Sequence, residues 1–302
     1  NYQKIDFPLL PNFYGKINAF EISLALKFIR KIFIYIEPIG LGLEKIFYDS
    51  KDYLLKSFNE TKIFDWIIQL FCPEEIVDEY IHMYASKAII AISASYDEFS
   101  ASLLQNTDFY NFLSNINEKM RLSENFTLYI CKILRNFAAC DMPIILNSVF
   151  LNDNVLDFTK VQIDSAFSIK FEVFYIYFNL ILLFNDEKSN CLLKLKTVIR
   201  NFLSSNLKIL PNLVDIILYN DDNFLQTALE SIITILWMGE SGGGENIFVK
   251  AFDEAGLFQS LDMIDEAEKI SDIVNDINEI RRLMAEGNHF DEITKDEDED
   301  VF

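Results

Sequence analysis

Two histidines, His82 and His289, are all the imidazole that this chain of 302 residues has for acid–base chemistry at neutral pH. His82 stands beside Met83 in an apolar stretch with helical spacing, a setting for a core or edge side chain rather than a base, and His289 lies in a strongly acidic C-terminal segment. The run Gly242-Gly243-Gly244 is no phosphate loop: no lysine–serine or lysine–threonine pair follows it and no strand precedes it. The carboxylate pairs Glu74-Glu75 and Asp221-Asp222 fall at expected helix starts, where acidic side chains stabilise unpaired backbone N–H groups. Cys72, Cys131, Cys140 and Cys191 are far apart without metal-ligand spacing, which suits small core residues in a reducing compartment. Nothing assembles a nucleophile, a base and an oxyanion site, so the expectation is a protein that is not an enzyme and has neither cofactor nor metal.

The chemistry that remains is binding. A net charge of −21 disfavours nucleic acid, whose phosphates need a basic face, and suits lysine- and arginine-rich peptides. The most apolar run, Phe171 to Phe184, holds about 14 residues and includes Glu172; this is short of the ~20 that cross a bilayer. It reads as a buried helix, not a membrane span.

The elements that must carry any binding face are helices. Nine glycines and six prolines leave few tight turns, which argues for long helices joined by short loops. Residues 1–18 read as an irregular segment punctuated by Pro8, Pro11 and Gly15. Helical patterns follow at Ala19–Ile36, Leu41–Phe58 and Ile63–Phe71, and then a period sets in. Ile81–Ser93, Leu128–Ala139, Glu172–Phe184 and Gln226–Met238 superpose so that Ala91, Asn136, Asn179 and Thr234 share one position. The intervals, about 45, 43 and 55 residues, are near those of armadillo and HEAT repeats. Shorter amphipathic helices lie between them at Phe99–Leu104, Phe109–Ile116, Leu192–Phe202 and Ile209–Leu218. The expected fold is all-α, a right-handed superhelix (α-solenoid) of armadillo/HEAT-like repeats over residues 19–285. Residues 222–285 form its last repeat and cap, and residues 286–302 an acidic, disordered tail. Gly239 and Gly256 are expected to stop the two helices that precede them.

The stretch Asp222 to Ala285 resembles the last armadillo repeat of the importin-α family. The resemblance is carried by Ala228-Leu229-Glu230-Ser231-Ile232, Ile235-Leu236-Trp237-Met238-Gly239-Glu240, and Ala251-Phe252-Asp253-Glu254-Ala255-Gly256-Leu257 before a closing acidic helix. It implies an adaptor that holds basic nuclear-localisation peptides, works with transport receptors, and resides in cytoplasm and nucleus. In that family the third helix of a repeat carries a tryptophan and, four residues on, an asparagine that pairs with the peptide backbone. The matching asparagines here are Asn136 and Asn179, with Lys132 and Tyr175 at the tryptophan position; Tyr175 can pack on a lysine stem, whereas Lys132 would repel one. At Ile81–Ser93 the equivalents are Lys87 and Ala91, so the pattern is absent there. Around the last repeat, Asp253, Glu254 and Asp262 would face a transport partner. The alternative is a non-catalytic helical-repeat scaffold, a chaperone cofactor or a permanent complex subunit, whose partner would cover the heavy load of phenylalanine and tyrosine.

Overall fold

Apolar residues recurring at helical spacing build helices wherever the chain is described in the computed structural model, which covers residues 19–36, 55–72, 79–119, 123–185, 192–218, 222–240, 246–264 and 271–298. The expected irregular segment 1–18, most of the Leu41–Phe58 helix, and Cys191 lie outside these residues. Among the described residues there is no strand. Fold class is all-α, built of helical repeats.

The chain divides into two compact units, 1–159 and 160–302. Unit 1 holds α1 (Ala19–Ile36), helical residues 55–60, α2 (Ile63–Phe71), α3 (Glu79–Ser93), α4 (Asp97–Gln105), α5 (Thr107–Ser114), α6 (Glu124–Ala138) and α7 (Pro143–Phe150). Helix α8 (Asp153–Gln162) runs across the division. Unit 2 continues with α9 (Phe167–Leu182), α10 (Leu193–Ser205), α11 (Ile209–Ile217), α12 (Asp222–Glu240), α13 (Ile247–Glu254), α14 (Leu257–Asp262) and α15 (Ser271–Asp298). From α4 onward the helices come in threes, two short and one long; the third helices are α6, α9, α12 and α15, and the first three of these, with α3 before them, are the four that the periodicity superposed. In unit 1, α3 packs against α1 and α6; in unit 2, α12 packs against α9 and α15.

Polar side chains record the same repeat. In unit 1 the Asn106 amide donates to Asp65 Oδ1 (2.7 Å, 41 residues earlier) and Asn154 donates to the Ser114 carbonyl (2.7 Å, 40 residues earlier). The Asp97 carboxylate accepts the backbone N–H groups of Asp141 (2.9 Å) and Met142 (3.1 Å), which open α7. In unit 2, Lys170 reaches Asn212 (2.8 Å, 42 residues on) and Asn185 pairs with Thr234 (3.2 Å, 49 residues on). Each bond spans one repeat, so it ties a helix to its successor in the stack and satisfies groups that stacking would otherwise bury unpaired.

The phenylalanines fill the cores. Phe71 packs within 5.3 Å of Phe112 and 5.2 Å of Phe126, centroid to centroid, and Phe99, Phe109, Phe137, Phe150, Phe174, Phe178, Phe224, Phe248 and Phe252 are almost fully enclosed. Much of the aromatic load expected to await a partner is thus consumed by the protein's own interior. The helical stretch Phe167–Asn185 reaches 19 residues with mean hydropathy 1.6, long and apolar enough by composition to cross a bilayer; half of it is buried against neighbouring helices.

Two details differ from the sequence reading, and one agrees with it. Helix α12 runs through Gly239 to Glu240 instead of stopping at the glycine. A Cβ at Gly239 would overlap the Asn246 amide, which donates to the Leu236 carbonyl (2.9 Å) and accepts from Phe248 N–H (3.1 Å) as the cap of α13; this glycine serves close approach. Gly256, at φ 76°, does form the left-handed turn between α13 and α14. The closing helix, Ser271–Asp298, continues over residues 286–298 of the expected tail. Arg282 supports that continuation by pairing with Glu279 and Glu286 (each 2.6 Å) on one helix face.

Candidate functional site

Four residues ahead of the superposed Ala91, Asn136, Asn179 and Thr234 stand Lys87, Lys132, Tyr175 and Glu230, and all four are half-exposed. The superposed position itself is mixed. Ala91 and Thr234 are buried, whereas Asn136 and Asn179 are half-exposed.

Helix α9 of unit 2 buries Ile169, Val173, Ile176, Phe178 and Leu180 among others, which turns Phe167, Phe171, Tyr175 and Asn179 outward in a four-residue ladder along one face. Phe167 is 49% exposed at its start. Phe171 stacks on Phe224 of α12 (4.5 Å, 18°), and Tyr175 meets the same ring edge-on (5.2 Å, 83°) and Phe171 likewise (5.0 Å, 81°). Since Phe224 is fully buried, it fixes both outward rings before any ligand arrives. One turn beyond Tyr175, the Asn179 amide makes no hydrogen bond among the described residues.

The next helices add charge. Gln226 on α12 donates to Glu230 Oε1 (3.2 Å), and the Glu230 carboxylate lies near Asp276 on α15. Burial, with the charges of Glu230 and Asp272 adding to it, pushes the Asp276 carboxyl up to about 6. Thr234 faces the packing instead, bonded to the Glu230 carbonyl (2.8 Å) and to Asn185. Unit 2 therefore presents preset aromatic rings, one open amide and several carboxylates. These groups suit an extended chain with aliphatic stems and positive ends.

In unit 1 the matching asparagine has another occupation. Asn136 Nδ2 donates to the Ile90 carbonyl (3.1 Å) and to Ser93 Oγ (3.0 Å), tying α6 to the end of α3. Lys132 is half-exposed one turn before it. His82 is a packing residue: its Nε2 lies 3.0 Å from the Phe71 carbonyl and its ring 4.3 Å from that of Phe126, and burial lowers its pKa, partly opposed by the Phe71 bond. Cys131 and Cys140 are buried free thiols; burial, with the Asp97 charge, pushes the Cys140 thiol up to about 12.

Of the acidic residues assigned to a partner, Asp253 and Glu254 are exposed at the end of α13. Asp262 pairs with Arg281 (2.9 Å), joining α14 to α15. Sequence reasoning missed Phe167, Phe171 and Asp276. The four-residue aromatic ladder could have revealed the first two, but Asp276 is part-buried, and brought near Glu230, only by the packing of α15 on α12.

Neither a family model nor a curated protein sequence matches the chain. Solved structures do. A designed armadillo repeat protein superposes with a TM-score of 0.57 at 15% identity, covering 90% of this chain and 96% of its own. The fold is of armadillo type. A second designed armadillo protein, solved in complex with the peptide (KR)4, matches at 0.56 and 14% identity over 91% of this chain and 96% of its own. A third, computationally designed for modular peptide recognition, matches at 0.57 and 15% over 88% and 94%. At such identities the armadillo likeness concerns fold alone.

Proposed function

We propose that this armadillo-type protein is a non-catalytic binding module that holds an extended basic peptide against the third-helix face of unit 2. The observation that carries the reading is the Tyr175–Asn179 pair on α9, with preset rings, an open amide, and the Glu230 and Asp276 carboxylates on the following helices. The amide would pair with peptide backbone, the rings would cover lysine stems, and the carboxylates would take the charge. Asn136 and Lys132 are outside this assignment, because the first ties two repeats together and the second carries the wrong charge for a basic peptide. The peptide (KR)4 bound by a structural neighbour is of the class expected here.

The finer form of the proposal is a nuclear-transport adaptor of cytoplasm and nucleus, supported by the importin-α-like residues Ala228 to Glu240 and by exposed Asp253 and Glu254 as a receptor contact. Calorimetric titration with lysine- and arginine-rich peptides tests the coarser reading. Tyr175→Ala and Asn179→Ala should each weaken binding by about tenfold, while Asn136→Ala leaves it unchanged. Absence of binding by the wild-type chain sinks the proposal. Co-purification of import receptors, lost in Asp253→Lys/Glu254→Lys, tests the finer form.

A further inference from the structure

Although the chain carries a charge of −21, unit 1 gathers cations on its helices α1 and α3. Lys27 Nζ of α1 lies 4.5 Å from the ring centroid of Tyr84 on α3, and Lys87 Nζ lies 5.5 Å from the same centroid. The Lys27 ammonium beside the Tyr84 phenol holds it below its ordinary range, against some desolvation, and the charges of Lys87 and Arg30 add to the effect. Lys27 and Arg30 are exposed, Lys87 and Tyr84 half-exposed, and none of the three cations forms an ion pair with a carboxylate among the described residues. In an acidic protein, two ammonium groups against one tyrosine ring, with a guanidinium near enough to act on its phenol and no carboxylate partner for any of the three among the described residues, are poorly explained by solubility. Leu24 and Phe28 continue the open stripe of α1 through Lys27 to Lys31, 57% and 66% exposed.

We propose that Lys27, Arg30, Lys87 and the Tyr84 hydroxyl form a second docking site, on unit 1, for an acidic peptide segment whose apolar residues lie on Leu24 and Phe28. Charge complementarity selects the partner: a carboxylate placed over Tyr84 would accept from the phenol and meet two ammonium groups and a guanidinium. A bilayer is the rival occupant of an apolar and basic helix stripe. Against it, the cations converge between two helices instead of spreading along one, and the net negative charge opposes approach to a large anionic surface. A short peptide meets only the local field, because charges beyond a Debye length of about 8 Å are screened. This site belongs to unit 1, and its charge is opposite in sign to that of the basic-peptide face proposed on unit 2.

Fluorescence anisotropy on the full chain, with a labelled peptide of Glu and Asp interspersed with Leu, decides the matter. Expected is saturable binding that weakens as salt rises, and at least about tenfold weaker binding by Lys27→Gln/Lys87→Gln, with a smaller loss in Tyr84→Phe. Leu24→Ser/Phe28→Ser should weaken it at constant salt dependence. Unchanged circular dichroism establishes that each variant folds, and unchanged binding of a lysine- and arginine-rich peptide separates this site from that of unit 2. Equal affinity in wild type and Lys27→Gln/Lys87→Gln, or no binding at all, overturns the proposal. So does preferential binding of phosphatidylserine vesicles that the acidic peptide fails to displace.

Discussion

Two titratable residues respond to pH with opposite sign. Asp276 has a folded-state value of about 6, above that of an ordinary carboxylate, so the native state keeps a proton that the unfolded chain has already released. Stability from this group is complete below the unfolded value and is lost as pH rises through about 6. Asp276→Asn should therefore raise Tm above pH 6, by only about 1–2 °C since solvent screens the site, and leave it unchanged near pH 4; thermal scans across pH read this. If the face of unit 2 holds a basic peptide, affinity in wild type should fall as pH drops through the same range and Asp276 loses its charge. His82 works the other way. Its folded value is depressed, so the unfolded chain takes up the proton first and stability falls as pH drops below the ordinary imidazole value of 6.5. Cys140 carries a third expectation: raised to about 12 and buried, its thiol should label with a disulfide reagent far more slowly at pH 8 than the half-exposed Cys72.

At the scale of elements, the repeat-to-repeat bonds hold one helix in register with the next. Asp97 accepts two N–H groups at the start of α7, where no other side chain caps the helix. Asp97→Ala should cost about 1–3 kcal/mol in urea unfolding, because both donors lose a charged acceptor. Asn136→Ala should cost about 1 kcal/mol by freeing the end of α3, and should leave basic-peptide binding intact. Loss of peptide binding in that variant would return Asn136 to the ligand face. The two glycines illustrate what helix patterns hide. Gly256 is a turn residue that its position after an amphipathic run discloses, whereas Gly239 looks the same in sequence and exists because Asn246 approaches from seven residues away.

For the whole molecule, stacking sets the stability. No trio of helices can enclose its own apolar face, so each depends on its neighbours. Leu229 is fully buried in α12, which packs on α9, α11, α13 and α15. Leu229→Ala should cost about 3 kcal/mol, with hydrogen exchange accelerating first in those contacting helices. Uniform acceleration along the chain would argue against nearest-neighbour stacking. The sequence by itself determined the all-α class and the period, with short helices between the long ones at Phe99–Leu104, Phe109–Ile116, Leu192–Phe202 and Ile209–Leu218, because helical spacing and scarce glycine and proline are local properties of the chain. It also singled out Tyr175 and Asn179, four residues apart on one helix. Tertiary structure alone decided that Asn136 ties repeats while Asn179 stays open, that Phe224 presets the rings beside it, and that Glu230 meets Asp276. Those outcomes depend on which neighbour a side chain meets across a helix–helix interface, and periodicity within one helix carries no information about that.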